Sequence, residues 1–196
     1  YELYAGHRKV TAEVCAIEEL QIMIAPVVLR RKISETGVEM VKRTIYRVNL
    51  PFTIGQKVEY EKMDSMSDEL IAHKNHLKNL VGTLYPGCEK LTLLPRLVYS
   101  ILAKKEQVII FTGLRDAAVV YKEMFGSLAK VANGLCPPDE RAILIHEFKR
   151  GDFPILIAGL EAVNSGFSLQ NANNVIVTDY PWTSSTLDQA IARPYR

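Results

Sequence analysis

Three side chains near the carboxyl end of the chain have the types and spacing of a phosphate-binding face. Gln189, Arg193 and Arg196 lie four and then three residues apart, so a helix would direct all three to one side. Guanidinium groups are planar, permanently charged and able to bind phosphate oxygens in a bidentate manner. The spacing therefore allows a phosphate ligand, whereas a solvated helix face is the more usual role of charges in this pattern.

Pro194 limits how far such a helix can continue. Its ring would clash with the carbonyl of Ala190 inside an unbroken helix. We therefore expect the helix to end near Arg193, with Arg196 on the following turn.

The elements that must position these side chains alternate between short apolar strands and helices. The first apolar run, QVIIF (107–111), is β-branched, too short for a helix and too apolar for an exposed strand, so it is expected to be buried on both faces. Strands are predicted at 107–111, 129–133, 154–159 and 174–179, helices at 95–105, 116–125 and 138–149, and a closing helix that starts after Ser184 or Ser185. This order predicts an α/β fold, a parallel sheet with helices on both faces.

Ligands bind such sheets at the carboxyl ends of the strands. Three loops follow predicted strands there: TGLRD, LEAVNSGFSLQ and YPWTSS. In the second loop, Gly166 permits close approach of another backbone, and Asn164, Ser165 and Ser168 supply short polar groups. That composition suits a phosphodiester backbone, and an ordinary strand-to-helix connection explains it equally well.

The first 90 residues predict a mainly helical extension to the sheet. Apolar residues from Thr11 to Ile24 recur at helical spacing, and TIYRVNL (44–50) alternates like a half-buried strand. Thr53 and Gln56 form a capping-box pattern for a second helix, a further helix is expected at 67–80, and Pro86 with Gly87 predicts a turn. The predicted division is therefore 1–90 as a lead-in segment and 91–196 as the sheet domain.

Composition excludes several classes. In 196 residues with 48% apolar content, no apolar stretch approaches the ~20 residues of a membrane-spanning helix, and no signal-peptide pattern opens the chain, so no membrane partner is expected. Cys15, Cys88 and Cys136 are isolated, which predicts neither a disulfide framework nor a metal site and suggests an intracellular protein. The net charge is +2, so any contact with nucleic acid must be local.

Four segments occur in a recognisable order: VIIFTGLRD, NGLCPPDERAILIHEF, PILIAGLEAVNSGFSLQNANNVIVTDYPW and DQAIARPYR. Together they resemble the second RecA-like lobe of the Swi/Snf-type ATPases, a branch of the superfamily-two helicases, and contain the counterparts of helicase motifs four, five and six. APVVLRRK and GQKVEY are similar to the stretch that leads into this lobe.

The resemblance implies roles in catalysis and nucleotide binding. Arg193 and Arg196 match the motif-six arginines that reach the γ-phosphate of ATP held on the other lobe, and Gln189 matches the glutamine of the same cleft. Gly166 is expected near the nucleotide. ATP and Mg²⁺ would be bound mainly by an absent first lobe, because this chain has no G-x-x-x-x-G-K-[ST] loop. We expect the fragment alone to be inactive.

The resemblance also implies a DNA-binding surface. The residues expected near one strand of double-stranded DNA are Thr112, Asn164, Ser165, Gly166 and Trp182. Trp182 could stack on a base, and packing against the next helix explains it at least as well. The sequence departs from the family at Val163 and Asn164, which stand where glycines are common, and at Pro194 and Tyr195, which replace Ala-His.

The expected function is that of the second motor lobe of an ATP-dependent DNA translocase or remodeller. Its partners would be double-stranded DNA, the first RecA-like lobe of the same protein and protein–DNA complexes, in the nucleus of a eukaryote or otherwise in the cytoplasm. Two alternatives remain open: a catalytically inert RecA-like scaffolding module, and an unrelated doubly wound enzyme that binds nucleotide unaided.

Overall fold

A computed structural model describes residues 2–5, 8–11, 22–23, 25–26, 43–65, 71–160, 169, 171–181, 184–192 and 194. The chain forms two compact units, Tyr1–Met40 and Val41–Arg196. In the first unit, β1 (Glu2–Ala5) pairs with β2 (Arg8–Thr11) as an antiparallel hairpin. Thr11 therefore ends a strand and does not begin the predicted helix, most of which lies outside the described residues.

The second unit contains the predicted alternation of strands and helices. Its strands are β3 (Val108–Thr112), β4 (Ala129–Ala132), β5 (Ile155–Gly159) and β6 (Asn174–Val177). Its helices are α1 (Ile54–Asp64), α2 (Ile71–Leu84), α3 (Glu89–Leu102), α4 (Arg115–Phe125), α5 (Pro138–Arg150) and α6 (Ser184–Ala192). A short 3₁₀ turn, Gly126–Leu128, connects α4 to β4.

The four strands are parallel and lie in the order β4-β5-β3-β6. The first strand of the sheet is thus central: Val108 of β3 lies opposite Ile155 of β5 and Asn174 of β6. All five residues of β3 are buried, as its apolar composition predicts. The predicted α/β fold with a parallel sheet is confirmed.

Helices cover both faces of this sheet because alternate residues of each strand point to opposite sides. On one face, Ile109 and Phe111 of β3 pack with Phe148 of α5 and Ala190 of α6. On the other face, Val108 and Ile110 lie in a cluster that also contains residues of α3 and α4 (Leu94, Val98, Ala117, Tyr121). Each large apolar side chain buried in this way contributes about 1.5–3 kcal/mol.

Helix α1 begins as its sequence predicts. Thr53 is the N-cap, its hydroxyl accepts a hydrogen bond from the Gln56 amide at 3.2 Å, and the Gln56 side chain accepts one from the Thr53 amide at 3.3 Å. The turn at Pro86 and Gly87 is also confirmed, with Gly87 at φ 76°.

Two expectations for the lead-in segment and one for the first helix of the sheet domain are wrong. Residues 43–50 form no strand, and 43–49 are exposed, because alternation alone cannot build a strand that pairs with no other described segment. Helix α2 runs past Gly82 to Leu84, since packing against α1 and α3 offsets the cost of an interior glycine. Pro95 lies inside α3, which already begins at Glu89 after the N-cap Cys88.

Candidate functional site

A carboxylate joins the carboxyl ends of the two neighbouring strands β3 and β6. Oδ1 of Asp179 accepts a hydrogen bond from the Thr112 hydroxyl at 2.6 Å, and Oδ2 accepts one from the Gly113 amide at 2.6 Å. The Thr178 hydroxyl lies 2.8 Å from the same Oδ1 and 3.2 Å from the carbonyl oxygen of Phe111. Asp179 therefore fixes the point at which the chain leaves β6 relative to the end of β3.

The glycine at position 113 makes this approach possible. A Cβ at Gly113 would lie 3.0 Å from Oδ2 of Asp179 and 3.7 Å from Leu160. Such a contact to a hydrogen-bonded carboxylate would force a shift, so the absence of a side chain lets the backbone amide face the carboxylate.

A lysine from α3 contacts the same strand end. Nζ of Lys90 donates to the Thr178 carbonyl at 2.8 Å and to the Thr83 hydroxyl at 3.1 Å. Burial lowers the pKa of Lys90, and the negative charge of Asp179 partly opposes this shift. The lead-in helices are therefore tied to the edge of the sheet where ligands are expected.

Tyr121 is a buried residue of α4 that lies near Thr178 and Asp179. It is fully buried, and its hydroxyl has no hydrogen-bond partner of ordinary geometry among the described residues. Burial raises the pKa of Tyr121 to about 12, and the nearby Thr178 hydroxyl opposes this only in part. The phenol is neutral at physiological pH.

Helix α6 begins five residues after Asp179 and presents two distinct faces. Ala190 is 1% exposed and packs in the core, whereas Asp188 and Gln189 are exposed. The predicted site residue Gln189 is thus on the outer face of the helix. Arg193 and Arg196 lie outside the described residues.

The residues predicted to contact DNA are only partly described. Thr112 is 2% exposed and its hydroxyl is bonded to Asp179 and accepts from the Leu114 amide at 3.1 Å. Asn164, Ser165, Gly166 and Trp182 lie outside the described residues.

Reasoning from the sequence missed Asp179 and Lys90. Asp179 is the first carboxylate after the apolar run NVIVT, at the edge of the sheet where ligands bind, and this position was the available signal. Lys90 carried no signal, because only packing of α3 brings it to β6.

Within the described residues, no group of three or more His, Cys, Asp or Glu side chains could hold a metal ion. No helix in the described part of the chain is long and apolar enough to cross a membrane.

Comparison with known proteins matches residues 89–196 to the family described as the helicase conserved C-terminal domain. YwqA of Bacillus subtilis (strain 168), named as an ATP-dependent helicase/translocase, is 27% identical over 92% of this chain and 23% of its own length. CHR23 of Arabidopsis thaliana, named as an ATP-dependent DNA helicase, is 24% identical over 94% of this chain and 20% of its own. The chain thus spans about a fifth to a quarter of these relatives.

Two solved structures share the fold. The C-terminal part of the Fun30 ATPase domain is 22% identical with a TM-score of 0.52, covering 72% of this chain and 56% of that one. The Sulfolobus solfataricus SWI2/SNF2 ATPase C-terminal domain is 18% identical with a TM-score of 0.57, covering 67% of this chain and 70% of that one.

The matched family covers more than half of the chain, and it coincides with the parallel sheet and its helices. The chain therefore belongs to the helicase conserved C-terminal domain family, and its fold is RecA-like.

Proposed function

We propose that this chain is the second motor lobe of an ATP-dependent DNA translocase. In this role it completes the catalytic site around ATP and Mg²⁺ held mainly by a first lobe of the same protein, and it grips the backbone of double-stranded DNA. Residues 1–90 serve as the lead-in segment and 91–196 as the motor lobe. The name of YwqA supports ATP-dependent translocation, and that of CHR23 supports the coupling of ATP use to DNA.

The observation that carries the proposal is the orientation of α6. The helix follows the carboxyl end of β6, buries Ala190 and exposes Gln189. Arg193 follows Gln189 by four residues and Arg196 follows it by seven, the spacing at which helical residues share one side. An outer face that starts at the ligand-binding edge of the sheet is suited to a phosphate on a separate lobe.

The chemistry assigned to the arginines is stabilisation of charge in the transition state. Arg193 and Arg196 neutralise the charge that develops on the transferred γ-phosphoryl group, and Gln189 is a neutral hydrogen-bonding partner in the same cleft. Arginine fingers of this kind increase the rate by about 10³–10⁵-fold. This lobe would therefore contribute little to nucleotide affinity and much to turnover.

The DNA contacts are assigned to the loops at the same edge. Asn164, Ser165 and Gly166 offer small polar groups and main-chain amides to phosphates, and Trp182 offers an aromatic face to a base. Thr112 supports these loops from the end of β3, where its buried hydroxyl is bonded to Asp179. With a net charge of only +2, local contacts must carry the interaction.

Arginine substitutions test this function in the protein that contains both lobes. Arg196→Ala and Arg193→Ala should each lower DNA-stimulated ATP hydrolysis by about 10³-fold or more, because each removes charge stabilisation present only in the transition state. Binding of duplex DNA, measured by fluorescence anisotropy at fixed salt, should change little.

Arg150→Ala is the matched control. Arg150 ends α5, is exposed and pairs with Asp152, near the edge of the sheet where β5 begins. This variant should hydrolyse ATP like the wild type. Wild-type turnover in Arg196→Ala would contradict the proposal, and a wild-type protein that binds DNA without hydrolysing ATP would favour the inert scaffolding module.

A further inference from the structure

The Asp179 carboxylate is placed between the two loops that the proposed function uses. It bonds the side chain of Thr112 and the backbone of Gly113, which are 67 and 66 residues away in sequence. We propose that Asp179 is a positioning residue of the motor: it locks the end of β6 to the end of β3 and thereby sets where α6 begins, the helix that precedes Arg193 and Arg196 in the sequence. This inference rests on the proposed function.

Both oxygens of the Asp179 carboxylate accept hydrogen bonds, and these bonds fix the orientation of the side chain. Its Oδ1 faces two hydroxyl groups, of Thr112 and Thr178, and its Oδ2 faces a backbone amide. Hydrogen bonds to an ionised acceptor are shorter and stronger than neutral ones. Because three groups at the ends of two strands converge on a single side chain, rotation of residue 179 would break bonds at both strand ends.

The same group of bonds reaches two helix starts. Thr112 donates to Asp179 and accepts from the amide of Leu114, which is the N-cap of α4. On the opposite side, Asp179 is separated from Ser184, the first residue of α6, by only four residues. A shift of the carboxylate therefore moves the loop after β3 and the start of α6 together.

A third element, helix α3, restrains the end of β6. Lys90 of α3 binds the carbonyl of Thr178, the residue before Asp179. The strand end is thus restrained by α3 on one side and by β3 on the other.

The sheet itself does not need the carboxylate. Backbone bonds continue the ladder beyond the strands, from the Thr178 amide to the Phe111 carbonyl at 3.0 Å and from the Leu160 amide to the Thr112 carbonyl at 3.1 Å. Both apolar faces of the sheet are filled independently of Asp179. Loss of the carboxylate should therefore loosen the two loops while the fold persists.

Asp179→Asn is the sharpest variant, because it conserves shape and replaces one acceptor by a donor. The new amide nitrogen cannot accept from the Gly113 amide, and turning the side chain over presents it to the two hydroxyls instead. Thr112→Val removes one hydroxyl donor at equal volume, and Thr112→Ser restores it. Asp152→Asn is the control, a carboxylate-to-amide change at an exposed pair with Arg150.

In the two-lobe protein, Asp179→Asn should lower kcat for DNA-stimulated ATP hydrolysis by about 10–100-fold, because misplacement of catalytic groups by ~1 Å has effects of this size. The KM for ATP should change by less than about threefold, since the proposed first lobe holds ATP. Thr112→Val should lower kcat less, and Thr112→Ser should recover most of it. Exchange of the Gly113 amide proton should accelerate in Asp179→Asn with little change in the urea unfolding midpoint.

The proposal is overturned if Asp179→Asn retains the kcat of Asp152→Asn, whether or not Gly113 exchange accelerates. It is also overturned if Thr112→Val weakens DNA binding and keeps kcat at saturating DNA, since direct contact would then explain Thr112. If Asp179→Asn does not fold, the kcat of Thr112→Val is compared with that of Thr112→Ser. Equal values would overturn the proposal. Failure of the proposed function is recognised separately, by wild-type turnover in Arg196→Ala.

Discussion

Two polar side chains near the carboxyl edge of the sheet, Thr112 and Tyr121, are both buried, but only Thr112 has hydrogen-bond partners there. The hydroxyl of Thr112 is bonded to Asp179 and to the Leu114 amide, whereas that of Tyr121 has no partner of ordinary geometry among the described residues. A buried hydroxyl without a partner carries an uncompensated desolvation cost. The two residues should therefore respond oppositely to removal of the hydroxyl.

Tyr121→Phe is expected to keep the free energy of unfolding at pH 7 or to raise it by up to about 1 kcal/mol, because it removes this cost without changing the packing. Urea unfolding followed by circular dichroism measures this. A loss of more than about 1 kcal/mol would show that the hydroxyl makes a stabilising hydrogen bond.

The alkaline pH dependence gives a second check on Tyr121. Its pKa is about 12 in the folded protein and about 10.0 in the unfolded chain, so the unfolded state releases the proton first. The contribution of Tyr121 to stability is complete below pH 10 and is lost as the pH rises through 12. The advantage of Tyr121→Phe over the wild type should therefore grow across this window, by at most about 1.4 kcal/mol per pH unit.

At the scale of elements, the capping box of α1 does more than begin a helix. The Gln56 side chain is 2% exposed, and its Nε2 donates to the Val81 carbonyl of α2 at 2.8 Å. One residue thus caps α1 and binds it to α2, which in turn packs on α3. The sequence pattern predicted the cap and contained no sign of the second contact.

Substitutions at Thr53 and Gln56 separate these two roles. Thr53→Ala should lower the free energy of unfolding by about 0.5–2 kcal/mol through loss of the cap. Gln56→Leu should have a larger effect, because it also leaves the Val81 carbonyl without its donor, at about 1–3 kcal/mol for a buried group. Urea unfolding again gives the values, with Lys57→Ala at an exposed ion pair as the control. Equal effects of the two substitutions would show that the bond to α2 contributes nothing.

Helix α3 shows how tertiary packing overrides a local signal. Proline is most favourable in the first turn of a helix, and the sequence favoured a start at Pro95. The helix begins six residues earlier, at Glu89, and buries Leu94 and Val98 on either side of the proline. Apolar burial against the sheet offsets the loss of one backbone hydrogen bond.

At the scale of the whole molecule, the proposed motor divides one catalytic site between two lobes. This chain should then bind ATP roughly 100-fold more weakly alone than the two-lobe protein does, a difference of about 2.8 kcal/mol. Equilibrium titration with a fluorescent ATP analogue measures both affinities. Tight binding by this chain alone would favour the doubly wound enzyme that needs no partner lobe.

Much of this protein can be derived from local sequence patterns. The β-branched runs predicted the four strands of the sheet, the Thr53 and Gln56 pair predicted the start of α1, and the spacing of Gln189, Arg193 and Arg196 predicted a phosphate-directed face, which stays a prediction. These features depend on neighbours within one or two turns of chain, where helical and strand periodicity determine which side chains share a face.

The tertiary structure alone decided which distant residues meet. The order β4-β5-β3-β6 places β3 between β5 and β6, the two other strands that lead into predicted ligand loops. Asp179, after β6, therefore lies beside Thr112 and Gly113 at the end of β3. It also placed Lys90 on the end of β6 and left residues 43–49 exposed. Such contacts depend on which strands pair and which helix faces find apolar partners, and no periodicity within a single segment records that choice.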